Sequence, residues 1–215
     1  MFDRVVQSLL SGQFVCPVSD HEGFSFLSEP ESHKSVNDYI GKIGLHLAGT
    51  RYGGAYFAAH NVIGGAERKA AREVFTDIKQ TLRPLVSFLD LVMRAMQSDD
   101  LLAVGTPIEV NKLMGAIDAN PSFRNDLQTL AGQLKVQADG TDRTRLEKVL
   151  RSFQDKGYLL LSNPEREIYQ ITGKIEFIQE AIEFLMEHDV IRDDSEDSDA
   201  GNRNNRGFGG QDALL

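Results

Sequence analysis

Thr141-Asp142-Arg143-Thr144-Arg145-Leu146-Glu147-Lys148-Val149-Leu150-Arg151-Ser152-Phe153-Gln154-Asp155-Lys156-Gly157, running straight into Tyr158-Leu159-Leu160-Leu161, decides the fold of this 215-residue chain. Leu146, Val149, Leu150 and Phe153 recur at three and four, which puts them on one face of a helix from about Asp142 to Lys156. Gly157 releases the chain into an apolar strand. Asn163-Pro164-Glu165-Arg166 is a loop, and Glu167-Ile168-Tyr169-Gln170-Ile171 alternates as a second strand. A helix that hands the chain to such a hairpin is the third helix and wing of a winged-helix domain.

Upstream, Thr106-Pro107-Ile108-Glu109 carries the signs of a helix start, with Thr106 as cap, Pro107 in the first turn and Glu109 in the box position. That helix presents Ile108, Val110, Leu113, Met114 and Ile117 and ends at Asn120-Pro121. The next runs from Pro121 to about Leu134, with Phe123, Leu127, Leu130 and Leu134 inward. Downstream, a closing helix from Gly173 to His188 presents Ile175, Ile178, Ile182, Leu185 and Met186. Beyond it, Asp193 to about Gly210 has no apolar periodicity and is expected to be disordered. Phe208 and Ala213-Leu214-Leu215 are apolar enough to dock on something, but a frayed terminus is the simpler expectation.

The same order occurs nearer the start. A helix is expected over Phe2–Leu10. A second runs from Ser19 or Asp20 to Ser28, capped through Ser19 and Glu22, and a third covers Ser32 to Ala48 and stops at Gly49. Arg51-Tyr52-Gly53-Gly54-Ala55-Tyr56-Phe57-Ala58-Ala59-His60 then reads as a turn into a strand, or as a small hairpin. Between the two groups, Ala66–Met96 is helical in pattern, with Pro84 inside it expected to kink or break the helix. The expected fold is mainly α with small β wings: a tandem of winged-helix domains. Its parts are an N-terminal lobe at 1–62, long linking or dimerisation helices at 63–104, a C-terminal winged-helix domain at 105–190, and an acidic, then Gly/Asn/Arg-rich tail at 191–215.

Composition bounds the function. The formal charge is −9. Seven acids and three bases lie from Asp189 onward, a charge of −4, which leaves −5 for the rest. A surface that coats nucleic acid over its whole area is excluded, while a local basic face is not. No apolar run approaches the roughly 20 residues of a membrane span. Met1-Phe2-Asp3-Arg4 lacks the build of a secretory signal, so a cytoplasmic protein is expected. The single cysteine, Cys16, offers no internal disulfide and no cysteine-rich zinc site, and its default role is a small buried hydrophobe.

Catalytic motifs are missing from the sequence. No Gly-Lys-Ser/Thr follows a glycine run. His21, His33, His46, His60 and His188 form no metal-ligand spacing. Ser162 lacks the flanking glycines of a nucleophile elbow. The expectation is a non-enzyme that needs no cofactor or metal.

With the apolar face of the 142–156 helix turned inward, Arg143, Arg145, Lys148 and Arg151 fall on its outer arc, with Lys156 at the edge. In a winged helix those bases are placed to neutralise phosphates. Asp142–Arg145 and Glu147–Arg151 could equally be plain surface pairs. Should this helix not be the contact, Lys34, Lys42 and Arg51 in the first lobe are the alternative.

Two stretches carry a family resemblance. Asp142–Gly157 resembles the last winged helix of MukE-like proteins, the kleisin-interacting tandem winged-helix subunits of bacterial condensins. Leu9-Leu10-Ser11-Gly12-Gln13-Phe14-Val15-Cys16-Pro17 resembles the MksE branch of that family. The resemblance implies a subunit that forms a homodimer and clamps a kleisin of the MksF or MukF kind. The kleisin in turn bridges an SMC-like ATPase of the MksB or MukB kind, in chromosome organisation and partitioning or in plasmid defence. It implies a nucleoid-associated protein and candidate DNA contacts at Arg143, Arg145, Lys148, Arg151 and Lys156. Phe57, Phe75, Phe88 and Leu89 are candidates for the dimer interface, with ordinary core as the competing role. A stand-alone winged-helix transcription regulator is the other reading. It would need a sizeable positive field and groups reaching base edges, against which the net acidity weighs.

Overall fold

A computed structural model describes residues 1–61, 65–97, 103–136 and 140–187. The chain divides into two units, Met1–Glu180 and Ala181–Leu215. Within the second, the described residues are the last turns of one helix, and the expected tail at 191–215 lies outside them.

Helix α1 (Phe2–Leu10) buries Val5, Val6 and Leu9. Helix α2 (His21–Ser28) begins on Asp20, whose carboxylate accepts from Gly23 N at 2.9 Å. Asp20, not Ser19, is therefore the cap, which contributes about 1 kcal/mol. Glu22 pairs instead with Arg4, at 3.3 Å. The Ser19 hydroxyl donates to Phe14 O at 2.9 Å. Helix α3 (Pro30–Gly41) buries Val36 and Ile40 and has Pro30 in its first turn, where a missing N–H costs nothing.

The third helix is shorter than its periodicity predicts. Gly44 takes φ +80 and ends the helical run, and the next residues form strand β1 (Leu45–Gly49). It pairs antiparallel with β2 (Tyr56–His60), so the first lobe carries a full hairpin. Val15 bridges Tyr56 through two backbone hydrogen bonds of 2.8 and 2.9 Å. This adds a third, minimal strand position beside β2. One apolar cluster, including Val5, Leu9, Val15, Leu27, Val36, Ile40 and Leu47, fills the lobe.

Helix α4 (Gly65–Met96) is 32 residues long and continues through Pro84 as one helix, without the expected break. Leu85, Phe88, Leu91 and Val92 are buried on it. Arg94 ties its end to the next lobe through Asp126 at 2.7 Å, with its guanidinium 5.3 Å from the Phe123 ring centre.

In the second lobe the expected helix start at Thr106 is a strand, β3 (Pro107–Glu109), with Ile108 buried between two exposed neighbours. Helices α5 (Val110–Ala119), α6 (Pro121–Gln133) and α7 (Asp142–Asp155) follow. Strands β4 (Leu159–Asn163) and β5 (Ile168–Ile171) close the sheet in the order β3-β5-β4. In both lobes, then, a segment ahead of the last helices pairs with the second strand of the wing. The fold is mainly α with small β wings, a tandem winged-helix arrangement. Helix α8 (Lys174–Glu187) follows the second wing.

Candidate functional site

Helix α7 is positioned by its N-terminal cap and its buried face. The Thr141 hydroxyl caps it, accepting from Thr144 N at 3.3 Å. Leu146, Val149, Leu150 and Phe153 are fully buried, with the Phe153 ring 4.7 Å from that of Phe88. This anchoring sets the helix rotation and leaves Thr144, Glu147, Lys148 and Arg151 facing the wing. The wing is fixed in turn by Val110 N, which donates to Glu167 O at 3.1 Å. The register shifts between Leu161 and Asn163, where the ladder is irregular.

Between helix and wing lies a groove of about 420 Å³. Its floor is apolar: Val110, Leu150, Leu161, Pro164 and the ring of Tyr169. Its rims are charged, with Glu147 and Glu167 as acids and Lys148 and Arg151 as bases. Burial pushes the Tyr169 phenol above its ordinary pKa, against the opposing pull of nearby Arg151.

The bases predicted for a common face are used in different ways. Arg143 reaches back to the wing. It pairs with Glu167, with Glu147 at 3.1 Å, and donates to Asn111 Oδ1 at 3.1 Å. Glu167, then Glu147, hold its guanidinium more firmly protonated than usual. Glu167 also takes φ +52, a left-handed conformation that costs about 1–2 kcal/mol in a residue with a side chain. Its carboxylate is thus held by Arg143 at a point where the wing backbone is strained. Arg145 departs from the outer arc: only 13% of its side chain is exposed, and it pairs with Asp142, which also binds Arg124 at 2.9 Å. The expected Asp142–Arg145 pair forms, whereas Glu147 pairs with Arg143 instead of Arg151. Arg151 is exposed at the groove and makes no ion pair among the described residues. Lys156 sits at the end of α7, and its carbonyl accepts from Lys174 Nζ at 2.8 Å.

A second constellation, not foreseen from the sequence, joins the two lobes. The loop of the first hairpin, 50–55, turns through Gly53 at φ +76. Into it projects the carboxylate of Glu176 from the first turn of α8. This group accepts from the Thr50 hydroxyl at 2.6 Å and from Gly54 N at 2.9 Å. Glu180, one turn on, accepts from Arg51 N at 2.5 Å. Gly173 makes this approach possible, since a Cβ there would lie 2.7 Å from Ala55 Cβ and 2.8 Å from Cys16 Cβ, besides striking Gly54 O. Beside the loop, Phe14, Phe57 and Phe177 form a ring cluster with centroids 5.0–5.2 Å apart. Lys174 Nζ lies over Phe14 and Tyr158.

Of the interface candidates, Phe57 is half-buried in this cluster and Leu89 is half-buried on α4. Phe88 is fully buried in the core. The Phe75 side chain lies outside the described residues. In the first lobe, Lys34, Lys42 and Arg51 are exposed, as are the larger apolar groups Tyr39 and Ile43. Among the described residues, no cluster of histidines, cysteines and acids could hold a metal ion, and no helix is long and apolar enough to cross a membrane. The model of the condensin complex protein MksE family matches residues 1–182. No curated protein matches the chain.

Proposed function

The chain belongs to the MksE family of condensin complex proteins, and from that membership we propose a non-catalytic accessory subunit that forms a homodimer and grips a kleisin. The kleisin links it to an SMC-like ATPase, so the nucleotide chemistry resides in the partner. In this reading residues 1–62 and 105–190 are the two gripping lobes, and 63–104 is the linking and dimerisation helix. Leu89 and Phe57 are the interface candidates with side chains still partly accessible. The protein works in the cytoplasm at the nucleoid, in chromosome organisation or plasmid defence.

The observation that favours gripping a polypeptide over reading DNA is the state of α7. Arg143 is matched by Glu147 and Glu167, and Arg145 by Asp142, so five of the charges on α7 and the wing are spent on one another. A helix that reads an operator needs those groups aimed outward in a positive field. DNA contact within the complex is then secondary and without sequence preference. Co-expression with the kleisin of the same complex tests this reading. A co-purifying assembly, with the isolated subunit sedimenting as a dimer, is expected. A monomer that leaves the kleisin behind overturns it.

A further inference from the structure

We propose that the groove between α7 and the second wing is a docking site for a partner polypeptide segment that presents a large apolar side chain beside a carboxylate. The inference deepens the kleisin-binding reading and rests on it, because it names the place and the chemistry of one contact.

The groove has the make-up of a peptide site. Leu150, Leu161 and Tyr169 offer an apolar floor, and about 420 Å³ lies within the range of pockets that enclose a small ligand or a few side chains. Charges of both signs line its edges. Glu147 on α7 and Glu167 on the wing are held by Arg143, whereas Arg151, one turn along α7 from Glu147, is exposed, with no ion pair among the described residues. An incoming carboxylate finds its complement at Arg151 and is kept in register by repulsion from Glu147 and Glu167. Duplex DNA fits this arrangement poorly. A phosphate backbone laid along α7 meets Glu147 and Glu167 as soon as it reaches Arg151, and the apolar floor gives it nothing in return. The pair of Glu167 with Arg143 ties the wing to α7, so the two walls of the groove are joined before any partner arrives.

The test uses the intact chain, its kleisin, and a labelled DNA duplex, with Arg151→Glu and Leu161→Ala variants checked for unchanged circular dichroism. Arg151→Glu is expected to weaken kleisin binding about tenfold or more. Reversal of one kleisin acid to Lys should restore it. Kleisin should also slow amide exchange across β4 and β5 in the wild type. If Leu161→Ala disturbs folding, Arg151→Glu and the exchange data decide alone. Kleisin affinity within twofold of wild type in Arg151→Glu, with no exchange protection in the wing, overturns the groove while leaving kleisin binding elsewhere on the chain intact. Loss of duplex binding in Arg151→Glu with kleisin binding unchanged assigns the face to nucleic acid and likewise overturns it. A wild-type chain that binds no kleisin at all overturns the broader reading, and this proposal with it.

Discussion

Replacing Glu176 by Ala removes the carboxylate that the first hairpin loop holds. Two hydrogen bonds are lost, from the Thr50 hydroxyl at 2.6 Å and from Gly54 N at 2.9 Å. Hydrogen bonds to a charged acceptor are worth about 1.5–3 kcal/mol each where they are shielded. Glu176 is only half-buried, so water recovers part of the loss, and about 2–3 kcal/mol for the pair is expected. Thr50 is buried and keeps a weaker contact of 3.4 Å to Ala55 O, which limits the cost of stranding its hydroxyl. At about 2–4 °C per kcal/mol for a unit of this size, the melting temperature should fall by about 5–10 °C. Thermal unfolding of the full chain measures this, and a double-mutant cycle with Thr50→Val isolates the bond. A coupling of about 1 kcal/mol or more is expected. A melting point within 1–2 °C of wild type, about the effect of an ordinary surface substitution, would refute the claim that this contact holds the lobes together.

Gly173→Ala should be costlier than its size suggests, because its methyl group must push Gly54, Ala55 and Cys16 aside; denaturant unfolding should show a loss of about 3 kcal/mol, or two separated transitions as the lobes part. Phe153→Ala, opposite Phe88 in the core, should cost about 3–5 kcal/mol in the same assay. Changing Glu147 and Glu167 together to Gln should release Arg143 and raise the affinity for a DNA duplex, with a steeper dependence on salt in fluorescence anisotropy. The Tyr169 phenol, held up by burial, should ionise above its ordinary range in a spectrophotometric titration, and higher still in Arg151→Ala, where the opposing cation is gone. Because its folded-state pKa is the raised one, the linked stability is present at neutral pH and is lost as pH rises past that of an unfolded tyrosine.

What could be read in the sequence, and what could not, follows the range of the interactions. Helices α1, α6 and α7 and the second wing were legible because their apolar spacing and their terminal residues agree with one another, as Leu146–Phe153 does with Thr141 and Gly157. The end of α3 was misread because Ile40, Ile43 and Leu47 also fit a helical stripe. In the structure Ile43 is exposed, and Leu47 is buried from a strand that starts after Gly44. Thr106-Pro107-Ile108-Glu109 has the composition of a capping box, yet Ile108 pairs with Tyr169, a partner far along the chain that no local rule reveals. For the candidate site, the helix and its bases were legible, but their pairing was not. Arg143 chooses between Glu147 one turn away and Glu167 on the wing, and takes both. The junction at Glu176 left only one trace, Gly173, a glycine just ahead of a helix where no turn requires it.

The central claim is that the α7–wing face of this MksE-family chain serves a polypeptide and not an operator sequence. Titrating the isolated full-length protein into kleisin, and separately into specific and scrambled DNA duplexes at physiological salt, tests it most directly. The expected result is a stable kleisin complex, with DNA held no better than the roughly 10⁻⁴–10⁻⁶ M of non-specific contact and without preference among sequences. Nanomolar, sequence-selective DNA binding by a chain that ignores kleisin would contradict it.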